Sequence, residues 1–324
     1  MPARLFTLFD PLVRLLLLAI VLASVLPVTG EGRAVARLVS DAAIFALFLL
    51  NGLRLPRAQV LHGLRNWRFL LPLALFVFGA MGLAGWLLAG PAASVLPASV
   101  ALGFLFLGVL PSTVQSATAY SSIAGGNVAN SVVAAAVLNI LGVFITAPLV
   151  ALLASSSGPG IDLGGLERIG LILLLPFAIG QLLQSRFGSL VADRRLLFSW
   201  MDRIAIAIAV YVAFSSAVEQ GIWTQIDLGS WAALLALVGV MLAFGFIGAW
   251  WLGGTLRLAR PDRIAFLFAG AQKSIAMGAP LASVLFAPEA AGLVLLPVLL
   301  YHLLQMVISA PLAGRLSRTN QSLG

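Results

Sequence analysis

The chain has 324 residues, of which 61% are hydrophobic and only 9% charged, and its mean hydropathy is +1.08. A soluble domain carries about 25% charged residues because its surface faces water, so this composition excludes a soluble globular protein and indicates an integral membrane protein. The sequence has no cysteine, which excludes disulfides and thiolate metal sites. The net charge of +8 comes from short arginine clusters between apolar runs, a pattern typical of membrane topology and not of a nucleic-acid surface.

Ten apolar segments approach the length of roughly 20 residues that a helix needs to cross a bilayer. In chain order the predicted spans are Pro11–Val28, Val35–Leu53, Phe69–Ala89, Ser94–Tyr120, Asn127–Leu153, Arg168–Gln184, Trp200–Val218, Ser230–Leu252, Arg263–Phe286 and Ala291–Ala313. The first span could pass for a signal peptide, with Arg4 ahead of an apolar core. We interpret it as a retained helix, because its removal would break the repeat described below.

The distribution of arginine predicts the orientation of these spans. Ten spans put both termini on one side, and placing both in the cytoplasm assigns fifteen arginines to that side. Only Arg33, Arg37 and Arg168 are left outside. This strong positive-inside bias predicts a multi-pass protein of the bacterial inner membrane with cytoplasmic N- and C-termini.

Two short motifs recur at half the chain length. Phe104–Ser112 reads FLFLGVLPS and Phe266–Ser274 reads FLFAGAQKS, at an offset of 162 residues. The tripeptide Ala147–Leu149 recurs as Ala310–Leu312 at an offset of 163. These matches predict two five-helix repeats, residues 1–162 and 163–324, in a single transporter domain. Because five is odd, the second repeat is inverted in the membrane, which is typical of secondary transporters with a binding site at the midplane.

Span 4 contains an unusual polar run directly after a proline. Pro111 removes a backbone donor and interrupts the helix, and lipid cannot satisfy the hydrogen-bonding side chains that follow. The candidate binding residues here are Pro111, Ser112, Thr113, Gln115, Ser116 and Thr118. Two interpretations stay open: a kinked helix whose hydroxyls bond its own backbone, or a break that lines a cavity.

Span 9 carries the only lysine of the sequence, within Gln272-Lys273-Ser274. Lys273 lies about ten residues from either end of its span, where a lysine costs roughly 2.5–3.5 kcal/mol. It must therefore face a polar cavity or a partner, or be neutral. It is either a structural ammonium that caps the carbonyls of a broken helix or a direct participant in binding substrate or ion.

Further polar residues lie inside other spans. The candidate binding residues on spans 5 and 10 are Asn127, Asn130, Ser131, Asn139, His302 and Gln305. His302 is open to a second interpretation, as a packed and hydrogen-bonded residue. Two acids also lie within spans: we expect Asp202 to pair with a nearby arginine, and Asp41 is a candidate counter-ion.

Three stretches resemble the bile acid:sodium symporter family, and most closely its bile-acid-symporter-like branch. They are Leu110–Leu149 with its Gly126-Asn127-Val128, Gly270–Phe286, and Tyr301-His302 with Gln305. The resemblance implies a core of spans 3–5 and 8–10, in which broken helices 4 and 9 cross, and a panel of spans 1, 2, 6 and 7. In sodium-coupled members of the family, two sodium ions bind beside the crossing.

The sodium-site residues that the resemblance implies are incomplete in this sequence. Phe268 stands where the family has a sodium-ligating glutamate, Lys273 replaces an asparagine, and Ala135 replaces a threonine. The vestigial ligands would be Ser131 and Gln272, and no confident metal site is left. We therefore expect no cofactor and a coupling ion that is either a proton or sodium, with the Lys273 ammonium in part of the lost sodium space.

The sequence as a whole predicts a secondary transporter of a small anionic organic solute, acting as a monomer in the lipid bilayer by alternating access. The alternative is a regulatory or scaffold membrane protein of the same fold that does not transport. An enzyme is not expected: Lys273 and Ser274 are adjacent on a helix and point about 100° apart, and neither H-E-x-x-H nor G-x-S-x-G occurs.

Overall fold

The computed structural model describes residues 10–54, 66–154, 170–225 and 227–321, and every regular element in these ranges is a helix. We number the helices α1 (Pro11–Val25), α2 (Gly32–Arg54), α3 (Trp67–Ala93), α4 (Ala98–Val109), α5 (Gln115–Ile123), α6 (Val128–Ala154), α7 (Gly170–Asp193), α8 (Arg195–Glu219), α9 (Leu228–Thr255), α10 (Arg260–Ala271), α11 (Ile275–Leu285) and α12 (Pro288–Gln321). One further turn of helix, Ile222–Gln225, precedes α9. The all-α prediction is confirmed.

Eight helical segments in the described residues are long and apolar enough to cross a membrane, with α10 and α11 counted as one segment. The other two predicted spans coincide with shorter apolar helices, α1 and the α4–α5 pair. The chain is therefore a multi-span membrane protein with eight candidate spans, and the count of ten stays a prediction. Arg4, Arg57, Arg65 and Arg168, which entered the topology prediction, lie outside the described residues, as does the boundary between the predicted repeats.

Three of the predicted span boundaries differ from the helix ends in the structure. Helix α1 ends at Val25 and not at Val28, because Pro27 disfavours helical geometry at Leu26, which has φ −131° and ψ 65°. Helix α12 begins at Pro288, before the predicted Ala291, because proline is favoured in a first helical turn. It also continues to Gln321, past the predicted Ala313, although Pro311 and Gly314 lie on either side of that residue.

The chain divides into two compact units. Unit 1 comprises residues 1–56, 161–227 and 279–295 and contains α1, α2, α7 and α8. Helices α2 and α7 approach closely at Gly52 and Gly180. A Cβ atom on Gly52 would lie 2.3 Å from the carbonyl oxygen of Phe177, and one on Gly180 would lie 2.2 Å from that of Leu49. Only glycine permits this backbone contact.

Unit 2 comprises residues 57–160, 228–278 and 296–324 and contains α3–α6, α9 and α10. Helix α3 includes a π-helical stretch, Leu75–Ala80, and packs on α4 through Gly85, where a Cβ atom would lie 2.3 Å from the carbonyl oxygen of Phe104. Each unit takes segments from both halves of the sequence. Residues 279–295, from α11 and α12, fall in unit 1, although the resemblance places spans 9 and 10 in the core. The division into core and panel therefore stays a prediction, as does the duplication.

Candidate functional site

Both predicted helix breaks are present, and both lie in unit 2. The first covers Leu110–Val114, between α4 and α5. Leu110 has an extended backbone with φ −70° and ψ 146°, as expected for the residue before a proline. The second covers Gln272–Ser274, between α10 and α11, and begins with an extended Gln272 at φ −85° and ψ 138°.

The two breaks contact each other directly. The backbone N–H of Ser274 donates to the carbonyl oxygen of Pro111 over 2.9 Å. The Ser116 hydroxyl donates to Oε1 of Gln272 over 2.6 Å, and the hydroxyls of Ser116 and Thr113 are 2.5 Å apart. The predicted crossing of the broken helices is therefore a hydrogen-bonded contact inside one unit.

Lys273 is fully buried, and its ammonium caps three main-chain carbonyls. Its Nζ donates to the carbonyl oxygens of Val77, Gly108 and Leu110, over 2.8, 2.7 and 2.8 Å. Gly108 and Leu110 belong to the C-terminal end of α4, where the helix dipole favours a cation. Val77 lies in the π-helical stretch of α3, a kind of stretch that often marks functional sites. Three acceptors match the three N–H donors of an ammonium group.

Two further carbonyl oxygens at or beside the first break accept hydrogen bonds from side chains. The Thr146 hydroxyl donates to the carbonyl oxygen of Val109 over 2.9 Å, and Nδ2 of Asn139 donates to that of Ser112 over 2.9 Å. Helix ends leave such carbonyls without helical partners, and burial without a donor is costly. Thr146 was missed by the sequence analysis, although it lies seven residues after Asn139 and so on the same helix face.

Helix α12 supports the second break with a ladder of polar side chains. The Gln305 amide makes a reciprocal pair with Lys273: Lys273 N–H donates to Oε1 over 2.8 Å, and Nε2 lies 3.0 Å from the Lys273 carbonyl oxygen. Nε2 of Gln305 also lies 2.8 Å from Nδ1 of His302. Nε2 of Gln272 donates to the hydroxyl of Ser309 over 3.0 Å, and the Tyr301 hydroxyl donates to the Ala271 carbonyl oxygen over 2.6 Å. Ser309 and Tyr301 were not predicted as site residues, yet Ser309 continues the 302, 305, 309 helical spacing.

Two buried hydroxyl oxygens at the first break have no hydrogen-bond partner among the described residues. They are Oγ of Ser112 and Oγ1 of Thr118. A buried hydroxyl without a partner costs roughly 1–3 kcal/mol, so Ser112 at the break and Thr118 in the following helix α5 each call for a polar neighbour such as water or a bound solute.

Not every predicted site residue joins this cluster. Nδ2 of Asn127 and Nδ2 of Asn130 both donate to Oδ1 of Asp262 over 2.8 Å, at the start of α10. The hydroxyl of Ser131 accepts from Ser121 over 3.2 Å. Gln115 is exposed at the N-terminus of α5. Asn127, Asn130 and Ser131 therefore bond residues outside the two breaks. The binding roles of these residues and of Gln115 stay predictions.

The two residues predicted as vestigial sodium ligands have hydrogen-bond partners within the protein. Ser131 is bonded to Ser121, and Gln272 to Ser116 and Ser309. Phe268, which stands at the glutamate position, is fully buried. No group of three or more His, Cys, Asp or Glu side chains that could hold a metal ion occurs in the described part of the chain.

Interrupted, hydrogen-bonded helices inside an apolar bundle are typical of secondary transporters, and comparison with known proteins identifies the class. The chain belongs to the SBF-like CPA transporter family, which its residues 10–318 match. It is a membrane transport protein of the bile acid:sodium symporter group and not an enzyme, as the sequence predicted.

Named relatives agree with this membership over nearly the whole chain. The Pseudomonas aeruginosa protein PA2026, named as uncharacterized, is 37% identical over 94% of this chain and 91% of its own length. The Escherichia coli protein named "putative symporter YfeH" is 34% identical over 99% of this chain and 96% of its own. The mouse protein named "sodium/bile acid cotransporter 7" is 23% identical over 85% of this chain and 82% of its own.

Proposed function

We propose that this protein is a secondary transporter that moves a small anionic organic solute by alternating access, with its binding site at the contact of the two helix breaks. The observation that carries the proposal is the pair of breaks in unit 2, where a buried ammonium and two unpartnered hydroxyls lie among backbone groups released from helical bonding. Such released groups in a membrane protein are expected only where they line a cavity or contact protein.

The anionic charge of the solute is supported by the direction of two helices. Helices α5 and α11 begin at the breaks, and their N-termini carry partial positive charge. Lys273 adds a full positive charge beside them. The name of the mouse relative refers to bile acids, but nothing in this site is specific to a steroid skeleton, so the proposal is restricted to the class of small organic anions.

Lys273 also bears on ion coupling. Its ammonium has three carbonyl ligands in the manner of a bound cation, while the glutamate position of the family's sodium sites holds Phe268. We infer that this built-in cation takes over part of the role of sodium, so that transport is coupled to protons or is uncoupled.

The proposed architecture is that of two inverted five-helix repeats, residues 1–162 and 163–324, with ten spans in all. The repeated motifs around Ser112 and Ser274 support it, because both copies end in a break and these breaks contact each other. The arginine distribution supports a bacterial inner-membrane location with cytoplasmic termini, and a monomer is sufficient because the break cluster is built within one chain.

The experiment has two stages. Purified protein is first screened for thermal stabilisation by a panel of small organic anions, with and without sodium and across pH, because a ligand that binds the native state raises Tm. Uptake of a stabilising compound is then measured in proteoliposomes for the wild type, Lys273→Gln, and the control Ser94→Ala, whose exposed hydroxyl donates to the Pro91 carbonyl oxygen.

The proposal predicts saturable uptake by the wild type and the control, and a loss of at least tenfold in Lys273→Gln. Wild-type uptake by Lys273→Gln, with an unchanged dependence on pH, would contradict the role of the ammonium. A screen in which no solute stabilises the protein would instead favour the scaffold alternative.

A further inference from the structure

The guanidinium of Arg263, at the start of α10, is held in a fixed position on α9. Its Nε donates to the carbonyl oxygen of Trp250 over 2.9 Å, and its Cζ lies 3.9 Å from the centroid of the Trp250 ring. Gly254 leaves room for this group, because a Cβ atom there would lie 2.8 Å from Nη2 and 2.9 Å from Cζ. A guanidinium that is already positioned loses little conformational freedom when it binds an anion.

The two Nη groups of this guanidinium are available to a ligand. No described residue accepts a hydrogen bond from them, and the Arg263 side chain is partly exposed. The neighbouring Asp262 is the single acid of unit 2, and its Oδ1 accepts from the amides of Asn127 and Asn130. The planar fork of N–H donors on Arg263 matches the oxygen atoms of a phosphate group.

Further arginines lie at the same end of unit 2. Nη2 of Arg260 donates to the carbonyl oxygen of Leu316 over 3.4 Å, which places the start of α10 beside the last turns of α12. Arg257, Arg315 and Arg318 are exposed in the chain segments next to this contact. Since the link between α9 and α10 joins two candidate membrane spans, it lies at the membrane surface. Clustered arginines at that depth attract anionic lipid headgroups.

Helix α9 exposes a stripe of apolar side chains that leads to Arg263. Its members, spaced three or four residues apart and each at least 40% exposed, are Val240, Phe244, Ile247 and Trp251. Gly254, on which the Arg263 guanidinium lies, is the next residue on the same helix face. The stripe is about 16 Å long at 1.5 Å per residue, close to half of a hydrocarbon core of roughly 30 Å. An acyl chain of one leaflet therefore fits along it.

We propose that this surface, made of Arg263 and the apolar stripe of α9, binds one anionic phospholipid. The headgroup phosphate contacts the Arg263 guanidinium, and an acyl chain lies along the stripe. A zwitterionic lipid carries the same phosphate, but its quaternary ammonium would lie among the neighbouring arginines. A soluble anion would lack the apolar contact. The site uses neither helix break, so it does not depend on the transport proposal.

Native mass spectrometry of the full-length protein in detergent measures the binding. Phosphatidylglycerol and phosphatidylcholine with identical acyl chains are titrated, and Tm is recorded with each lipid and with inorganic phosphate. The wild type should bind one phosphatidylglycerol molecule at least tenfold more tightly than phosphatidylcholine. Phosphatidylglycerol should raise Tm, because it binds the native state, whereas inorganic phosphate at the same concentration should not.

Three variants assign the binding to Arg263. Arg263→Gln should reduce the preference for phosphatidylglycerol to twofold or less. Gly254→Ala keeps the net charge, but its methyl group displaces the flexible end of the Arg263 side chain, so the fold should persist while the preference falls at least threefold. Arg186→Gln is the matched control: it removes the same charge from an exposed residue of α7, in unit 1, and should bind as the wild type does.

Equal affinity of the wild type for the two lipids would overturn the proposal. A preference that survives unchanged in both Arg263→Gln and Gly254→Ala would also overturn it. An equal loss in Arg186→Gln would show that net charge sets the preference and that this surface does not. Equal stabilisation by inorganic phosphate would assign the Arg263 guanidinium to a soluble anion instead of a lipid.

Discussion

Units 1 and 2 differ in their balance of basic and acidic residues. Unit 1 has ten arginines and ten acids in its sequence ranges, whereas unit 2 has nine basic residues, eight arginines and Lys273, and a single acid, Asp262. The whole net charge of +8 therefore resides in unit 2. Its one acid accepts from two asparagine amides, Asn127 and Asn130, among the contacts described.

The ion pairs show the same contrast at the level of atoms. Three ion pairs of unit 1, Arg33–Glu219, Arg37–Glu289 and Arg54–Asp202, are partly exposed. In unit 2 the ammonium of Lys273 is fully buried, and it donates to three backbone carbonyl oxygens. Unit 1 balances charge with countercharge, whereas unit 2 balances its buried cation with the dipoles of interrupted helices.

This contrast predicts that Lys273 contributes more to stability than any ion pair of unit 1. Lys273→Met keeps the length of the side chain but leaves three buried carbonyls without this donor. Each unpaired carbonyl costs roughly 1–3 kcal/mol. Part of this cost is offset because the variant no longer has to bury a charged ammonium, so we expect the free energy of unfolding to fall by about 3 kcal/mol. Chemical unfolding in detergent measures it, and a loss under 1 kcal/mol would show that the carbonyls find other donors.

An intermediate effect is expected for the pair of Arg54 and Asp202. Their side chains are 30% and 17% exposed, and one further polar atom of each, Nη2 and Oδ1, is buried without a hydrogen-bond partner among the described residues. Asp202→Asn should lower the free energy of unfolding by about 1–2 kcal/mol, because the guanidinium is then partly buried without its charge partner. A double-mutant cycle with Arg54→Gln measures the interaction free energy between the two side chains. A value near zero would show that this pair stabilises the fold no more than an exposed surface pair does.

The smallest effect is expected for Arg33 and Glu219. Their atoms are 2.6 Å apart, but the Arg33 side chain is 48% exposed. Water and salt screen such a pair, so Arg33→Gln should change the free energy of unfolding by roughly 0–1 kcal/mol. The residual effect should disappear in high salt, where that of Lys273→Met should persist. Equal salt sensitivity of the two variants would contradict the proposed difference between the units.

The sequence predicted the elements whose causes are local. Pro111 and the polar run after it predicted either a kink or a break in span 4, and the structure has a break there. The break in span 9 was expected only from the family resemblance. The interpretation of Lys273 as a cap for carbonyls also describes its contacts. Its partners could not be predicted, because Val77, Gly108 and Leu110 contribute main-chain oxygens that any residue would carry.

The polar residues of α6 show the opposite case. Asn127, Asn130 and Asn139 lie on one predicted span and were assigned to one site, yet the structure separates their contacts. Asn139 bonds the first break, and the other two bond Asp262. The periodicity of a helix predicts which residues share a face. It does not predict which neighbouring element each part of that face contacts, because those contacts depend on tertiary packing.

The main-chain partners of Lys273 have an evolutionary consequence. Residues at positions 77, 108 and 110 can change their side chains without altering the oxygen atoms that the ammonium contacts, provided that the backbone path persists. Lys273 should therefore have no covarying partner at those positions in an alignment of relatives. Gln272, whose side chain bonds the hydroxyls of Ser116 and Ser309, should instead vary together with those two positions.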